Sequence, residues 1–446
     1  MKMNRFKSLK IAGTILLAAF ILSACTTNWP QFRGPENNMI AKGKNLPVEW
    51  GDSLNIRWSH ALEGDSWASP VVWGNKVFVT TSIPVRVAPE PEPREGDPSG
   101  ETDQSFASEL YRWEVTCLDL ETGEILWKQV AFEGSPRVKK HSAHNYAAET
   151  PVTDGKRLYV YFGMTGIYCY DLDGTLLWEK DLGAYKTLNE WGSGSSPVIY
   201  GDLLFIQVDN EEHSFLVALD AATGDEIWKA ERDEKTNYST PVIWKNNIRT
   251  ELVAGGQKAR SYDPLTGDLF WELDVAGYYN IPSPVPDNDF IYLGNTAWRD
   301  IPGTLFCVRA GAAGNITPPE GETKSEYVVW SDTASSLANP SPLLVGGLLY
   351  MVSSRGGIVT CLDAASGEQV YQEKMEGVAS CWATPWAHGD RIYFTDEKGV
   401  TRVFKAGRTF EPLGENILDD KFWTSVAITG DAYLMKGTGN LYCIGN

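Results

Sequence analysis

The stretch SPVIYGDLLFIQV at residues 196–208 runs through Ser, Pro, an apolar strand, a tight Gly-Asp turn and a second apolar strand, the grammar of a β-hairpin. It recurs along the chain. SPVVWGNKVFVTT begins at Ser69, TPVTDGKRLYVYF at Thr150, TPVIWKNN at Thr240, SPVPDNDFIYLGN at Ser283, SPLLVGGLLYMVS at Ser341, TPWAHGDRIYFTD at Thr384 and SVAITGDAYLMKG at Ser425. Most units start roughly 45 residues apart, and a period of that size filled with strands alone makes radial blades, each a four-stranded antiparallel sheet. The expected fold is all-β, an eight-bladed β-propeller.

A second pattern fills the other half of each unit: an apolar strand ending at Asp, a turn containing Gly, then a strand carrying an aromatic residue. It reads Asp119, Gly123, Trp127; Asp171, Gly174, Trp178; Asp220, Gly224, Trp228; Asp263, Gly267, Trp271; and Asp363, Gly367, Tyr371. A carboxylate there accepts backbone N–H bonds inside the turn, and Gly takes the φ > 0 position, so these acids are structural. The Trp residues are expected to fill the wedge between blades. The last unit ends at Asn446 without its Trp strand, and LNIRWSHAL at residues 54–62 supplies one through Trp58. Pairing the two chain ends closes the ring and removes open sheet edges.

The first residues read as an address. Lys2, Arg5, Lys7 and Lys10 precede an apolar core from Ile11 to Ile21, and Leu22-Ser23-Ala24-Cys25 follows, which resembles a bacterial lipoprotein signal. The resemblance implies a signal peptide over residues 1–24, cleavage before Cys25 and acyl chains on Cys25. Thr26 after it, in place of Asp, directs the expectation to the outer membrane and its periplasmic face. Residues 25–53 then form a lipidated tether and entry segment, and 54–446 a single propeller interrupted by an acidic, Pro-rich rim insertion at 84–108. The chain carries −19 as written, and losing the four leader cations takes it to about −23. Nucleic acid is disfavoured as a partner, because phosphate contacts need clustered Lys and Arg.

Five of the remaining cysteines, Cys117, Cys169, Cys307, Cys361 and Cys443, share one strand register in different blades; with Cys381 they read as small core residues. No metal-ligand spacing and no nucleophile with its base is apparent, so no catalytic residue and no metal site is assigned.

The exceptions to the repeat gather on one rim, which receives the second-to-third and fourth-to-first connections. The opposite rim has short turns apart from residues 310–324, which read as a solvated loop. On the elaborated rim lie the acidic insertion and the long entry GSPRVKKHSAHNYAAE, with Lys139, Lys140, His141, His144 and Asn145. Three positions before each repeat's Pro position stand Trp67, Ala148, Gly194, Tyr238, Ile281, Asn339, Trp382 and Trp423. Blade eight adjoins blade one, so Trp382, Trp423 and Trp67 are expected to form one aromatic arc around the central mouth, with Trp191, Tyr278 and Tyr279 in loops of the same class. These rim residues are the candidate ligand- or partner-binding set.

LDLETGEILWK, LDAATGDEIWK and YDPLTGDLFWE resemble the pyrroloquinoline-quinone (PQQ) repeats of the quinoprotein alcohol dehydrogenase-like superfamily, and NWPQFRGPENN, LPVEW, ETPVTDG, YDLDGTLLW and WGSGSSPV are similar to its PQQ-binding-like propeller branch. The resemblance implies the propeller fold and points two ways. One is the lipoprotein propeller subunit of the outer-membrane β-barrel assembly machine, without cofactor or catalysis. The other is the PQQ-dependent alcohol and sugar dehydrogenases, with Ca²⁺ and PQQ in the funnel. No two cysteines are adjacent and no haem segment is present, both departures from those enzymes. Asn145, Glu149, Asn280 and Asn339 are the oxygen donors a calcium ion could draw on. The expected function is a non-catalytic, membrane-tethered scaffold for protein partners, in outer-membrane protein assembly or envelope maintenance. Its alternatives are a quinoprotein dehydrogenase and a carbohydrate-binding propeller.

Overall fold

The computed structural model describes residues 28–86, 109–275, 277, 280–297, 301–334 and 337–446. Eight sheets stand around one axis. Their inner strands are Val71–Trp73 in blade 1, Val152–Thr153, Val198–Tyr200, Val242–Lys245, Val285–Pro286, Leu343–Val345, Trp386–His388 and, in blade 8, Ala427–Ile428. Each blade runs outward antiparallel, as in blade 1, where Lys76–Arg86, Leu110–Asp119 and Ile125–Gly134 follow the inner strand. Blade 8 closes the ring as expected: its outermost strand is Ile56–Ala61, paired antiparallel with Asn440–Gly445 so that Trp58 faces Cys443.

The outer-strand tryptophans bind blade to blade. Trp58 Nε1 donates to the Leu120 carbonyl at 2.9 Å, Trp127 to Leu172 at 3.0 Å, Trp178 to Ala221 at 3.3 Å, Trp228 to Pro264 at 3.1 Å and Trp330 to Ala364 at 3.0 Å, each in the next blade. Each indole lies against the Gly of that blade's turn. Gly174, at φ +91°, is so close to Trp127 that a Cβ would stand 2.8 Å from its ring. Gly174→Ala therefore combines a left-handed backbone with a displaced indole, and is expected to cost about 2 kcal/mol in a denaturant melt. The turn carboxylates act as expected: Asp119 Oδ1 accepts Glu121 N and Thr122 N, both at 2.9 Å.

Blade 4 departs from the rule. Trp271 is fully buried and donates to Glu251 Oε2 at 2.8 Å. Its outer strand gains a fifth, parallel partner at Gly314–Asn315, with Ala312 and Ile316 buried beside it. The segment 310–324 is thus not simply a solvated loop; two apolar residues anchor it against the blade edge. Cys117, Cys169, Cys307, Cys361, Cys381 and Cys443 are buried free thiols.

The entry segment is woven into the ring. Trp29 exchanges two 2.9 Å backbone hydrogen bonds with Val72 of blade 1, and Thr153 N of blade 2 donates to Pro30 O. Arg33 donates from Nη1 to Pro284 O at 2.8 Å and from Nη2 to Pro342 O at 3.5 Å, reaching blades 5 and 6. Ile40–Ala41 pairs in parallel with blade 7 at Ala387 and His388, and Trp50 packs on Tyr393 and on Tyr433 of blade 8. The segment plugs the axis on the rim of short turns. Cys25, the leader and nearly all of the 84–108 insertion lie outside the described residues.

Candidate functional site

The Ser or Thr that opens each repeat has a specific task at the axis. Ser69 N donates to Thr150 Oγ1 at 3.0 Å, Thr150 N to Ser196 Oγ at 2.9 Å, Ser196 N to Thr240 Oγ1 at 3.0 Å, Thr240 N to Ser283 Oγ at 3.0 Å and Ser283 N to Ser341 Oγ at 2.9 Å. Thr384 N and Ser425 Oγ repeat the bond at 3.0 Å. In six of the eight blades the hydroxyl thus satisfies an inner-edge N–H of its neighbour that would otherwise be buried without a partner. Residue type follows from this role, which the sequence pattern displays without explaining.

Above this ring a cavity of about 710 Å³ opens toward the elaborated rim, and Phe32 of the plug lines it with the ring hydroxyls. Trp67, Trp191, Tyr238, Asn339, Trp382, Trp423 and His144 all line it, which brings most of the sequence candidates together. The three expected tryptophans are contiguous. Trp423 stacks on Trp67 with centroids 4.8 Å apart and on Trp382 at 5.1 Å, at 15° and 16° between planes. Both faces of Trp423 are therefore covered by its neighbours, and the arc turns its faces on itself. Trp67 meets His144 edge-on at 4.7 Å, and His141 stacks on one face of Trp191 at 3.9 Å.

One candidate, Asn145, is placed otherwise than on the displayed rim, and Asn339 shares its polar group with a neighbour. Asn145 is 5% exposed and caps its own turn, its Oδ1 accepting Ala147 N at 2.9 Å, so it is not a displayed rim residue. Asn339 lines the cavity, yet its Oδ1 accepts the Ser354 hydroxyl at 3.1 Å. Tyr279 lies outside the described residues.

Burial gives two residues that the sequence singled out, Glu149 and His144, and one that it did not, Lys436, a chemistry that no sequence pattern signalled. Glu149 is 2% exposed beside a cavity of about 50 Å³ between blades 2 and 3, and it accepts Ser193 Oγ and, at 3.1 Å, Gly163 N on Oε1. Burial, only partly offset by these donors, raises its carboxyl to about 7. His144 borders both cavities; burial pulls its imidazole down to about 3, and its Nδ1 has no partner among the described residues. Lys436 is buried under the Trp67 loop, donating to Ser66 O at 3.0 Å and Ser66 Oγ at 2.6 Å, and burial lowers its ammonium to about 7. Among the described residues lining the large cavity there is no Asp and no Glu; Arg355 is its one fixed charge.

Comparison with known proteins follows the same division. The family described as outer membrane protein assembly factor BamB matches residues 111–373, more than half of the chain. No curated protein sequence matches. Among solved structures, BamB from Moraxella catarrhalis aligns with a TM-score of 0.57 and 13% identity, covering 86% of this chain and 95% of that one. Quinohemoprotein alcohol dehydrogenase from Comamonas testosteroni aligns at 0.60 and 12%, covering 94% and 81%. A europium-containing methanol dehydrogenase aligns at 0.59 and 12%, covering 93% and 90%. At such identities the structures share a fold, and fold alone does not carry function.

Proposed function

The chain belongs to the family of the outer membrane protein assembly factor BamB, and from that premise we propose that it is a membrane-tethered propeller of the cell envelope that binds protein partners and catalyses no reaction. The observation that carries this reading is the family match combined with a funnel whose described lining contains no carboxylate. A Ca²⁺ ion is held by six to eight oxygens, usually including Asp or Glu. The buried carboxyl of Glu149, which stands in sequence between the lining residues Ala148 and Thr150, is already bound to Ser193 and Gly163 behind the wall. The residues present therefore do not fit a calcium-bound quinone. Rigid blades carrying long loops on one rim suit contacts with other proteins.

Crosslinking in membranes, followed by identification of the captured chain, tests the scaffold reading; it expects one specific envelope protein. Incubating the protein with Ca²⁺ and PQQ is expected to give no dye-linked oxidation of alcohols or sugars, and tight quinone binding with turnover would sink the proposal.

The tether is placed at Cys25, on the periplasmic face of the outer membrane. Cys25→Ala is expected to move the protein from the membrane to the soluble fraction, because acyl chains supply about 0.8 kcal/mol per buried methylene. Fractionation and immunoblotting check it; a variant that stays membrane-bound after a carbonate wash would overturn the anchor.

A further inference from the structure

We infer that the central funnel is a binding site for an acidic sugar, a pyranose-sized hydroxylated ring carrying one carboxylate. This stands apart from the scaffold reading, since ligand titration reads one and partner capture the other.

The polar groups set the ligand's chemistry. Each ring hydroxyl that accepts a neighbour's N–H has spent a lone pair and retains its proton as a donor at the cavity floor. His144 adds a further polar group. It is 8% exposed and lines the cavity, and its Nδ1 has no hydrogen-bond partner among the described residues. A neutral imidazole offers one N–H donor and one acceptor nitrogen. A buried ring nitrogen without a partner carries a desolvation cost that a ligand hydroxyl, able to donate or to accept, would recover. Hydroxyl donors and an unpartnered ring nitrogen converging on one space fit a polyol.

Charge selects within that class. Although the chain carries −19, no carboxylate lines the described funnel. The Arg355 guanidinium at the mouth enters no ion pair among the described residues, and the buried guanidinium of Arg33 lies in the plug under the floor, bonded only to carbonyls. Both fixed charges favour an anion. The apolar face of a sugar ring needs an aromatic wall. Trp423 is stacked on both faces, whereas among the described residues Trp191 stacks with one ring alone, His141, and lines the cavity.

Titrating the purified, lipid-anchored protein in detergent with D-glucuronate, D-glucose, acetate and PQQ, followed by tryptophan fluorescence and calorimetry, tests the assignment. Saturable quenching by glucuronate is expected, with affinity at least about tenfold above glucose and above acetate. Arg355→Ala, exposed and distant from the core, should fold normally and bring glucuronate to within about twofold of glucose; Trp191→Ala should weaken both sugars. No saturation by glucuronate up to about 10 mM, equal binding of glucose in the unaltered protein, or an undiminished preference in Arg355→Ala would each overturn the proposal. So would PQQ displacing glucuronate at far lower concentration.

Discussion

Deleting residues 28–53, with the closing strand Ile56–Ala61 kept, is expected to abolish cooperative folding or lower stability by roughly 8 kcal/mol. Trp29, Met39, Leu46 and Trp50 are each at most 4% exposed, and burial of a large apolar side chain contributes about 1.5–3 kcal/mol. That sum approaches the whole stability of many domains, about 5–15 kcal/mol. The deletion would also bare the inner edge of blade 7, where Ile40–Ala41 pairs, and open the funnel into a channel through the ring. Circular dichroism against denaturant, with a hydrophobic dye to report exposed core, measures the effect. A truncated chain that melts within about 2 kcal/mol of the full one would mean the segment is only a tether.

The plug also shows where the sequence was legible and where it was not. Blade count, closure by Trp58 and the inter-blade tryptophans were readable because each unit solves the same local problem eight times, so residue types repeat at fixed offsets. Residues 28–53 solve a problem that occurs once. Arg33 is defined by carbonyls 251 and 309 residues away, and nothing in NWPQFRGP announces them. The Trp arc lies between these cases: register along the repeat placed Trp382, Trp423 and Trp67 side by side, but ring orientation depends on packing, and the rings face one another. Glu149 and His144 stood out as candidates, but their burial was opaque for a further reason, since the loop carrying Gly192 and Ser193, which leads into the next blade, packs against them.

Glu149→Gln is expected to leave stability near pH 4.5 almost unchanged and to raise it by about 3 kcal/mol relative to the unaltered protein at pH 8. The sign follows from the two titrations. In the unfolded chain the carboxyl ionises near its ordinary 4.5, whereas burial raises it to about 7 in the fold. Between these values the folded state holds a proton that the unfolded state has released, so stability falls as pH rises, and the loss is complete above 7. Gln keeps an oxygen for Ser193 Oγ and Gly163 N and cannot ionise. His144 works in the opposite direction: held neutral down to about 3, it loses stability as pH falls below its ordinary 6.5. It is present in both proteins, so the difference in denaturant midpoint across pH isolates Glu149. Calcium sharpens the comparison. Were Glu149 a metal ligand, added Ca²⁺ at pH 8 would favour the ionised carboxylate and stabilise the unaltered protein over Glu149→Gln. With its oxygen turned to Ser193 and Gly163, behind the wall of a funnel whose described lining carries no carboxylate, the difference is expected to stay the same with or without the ion.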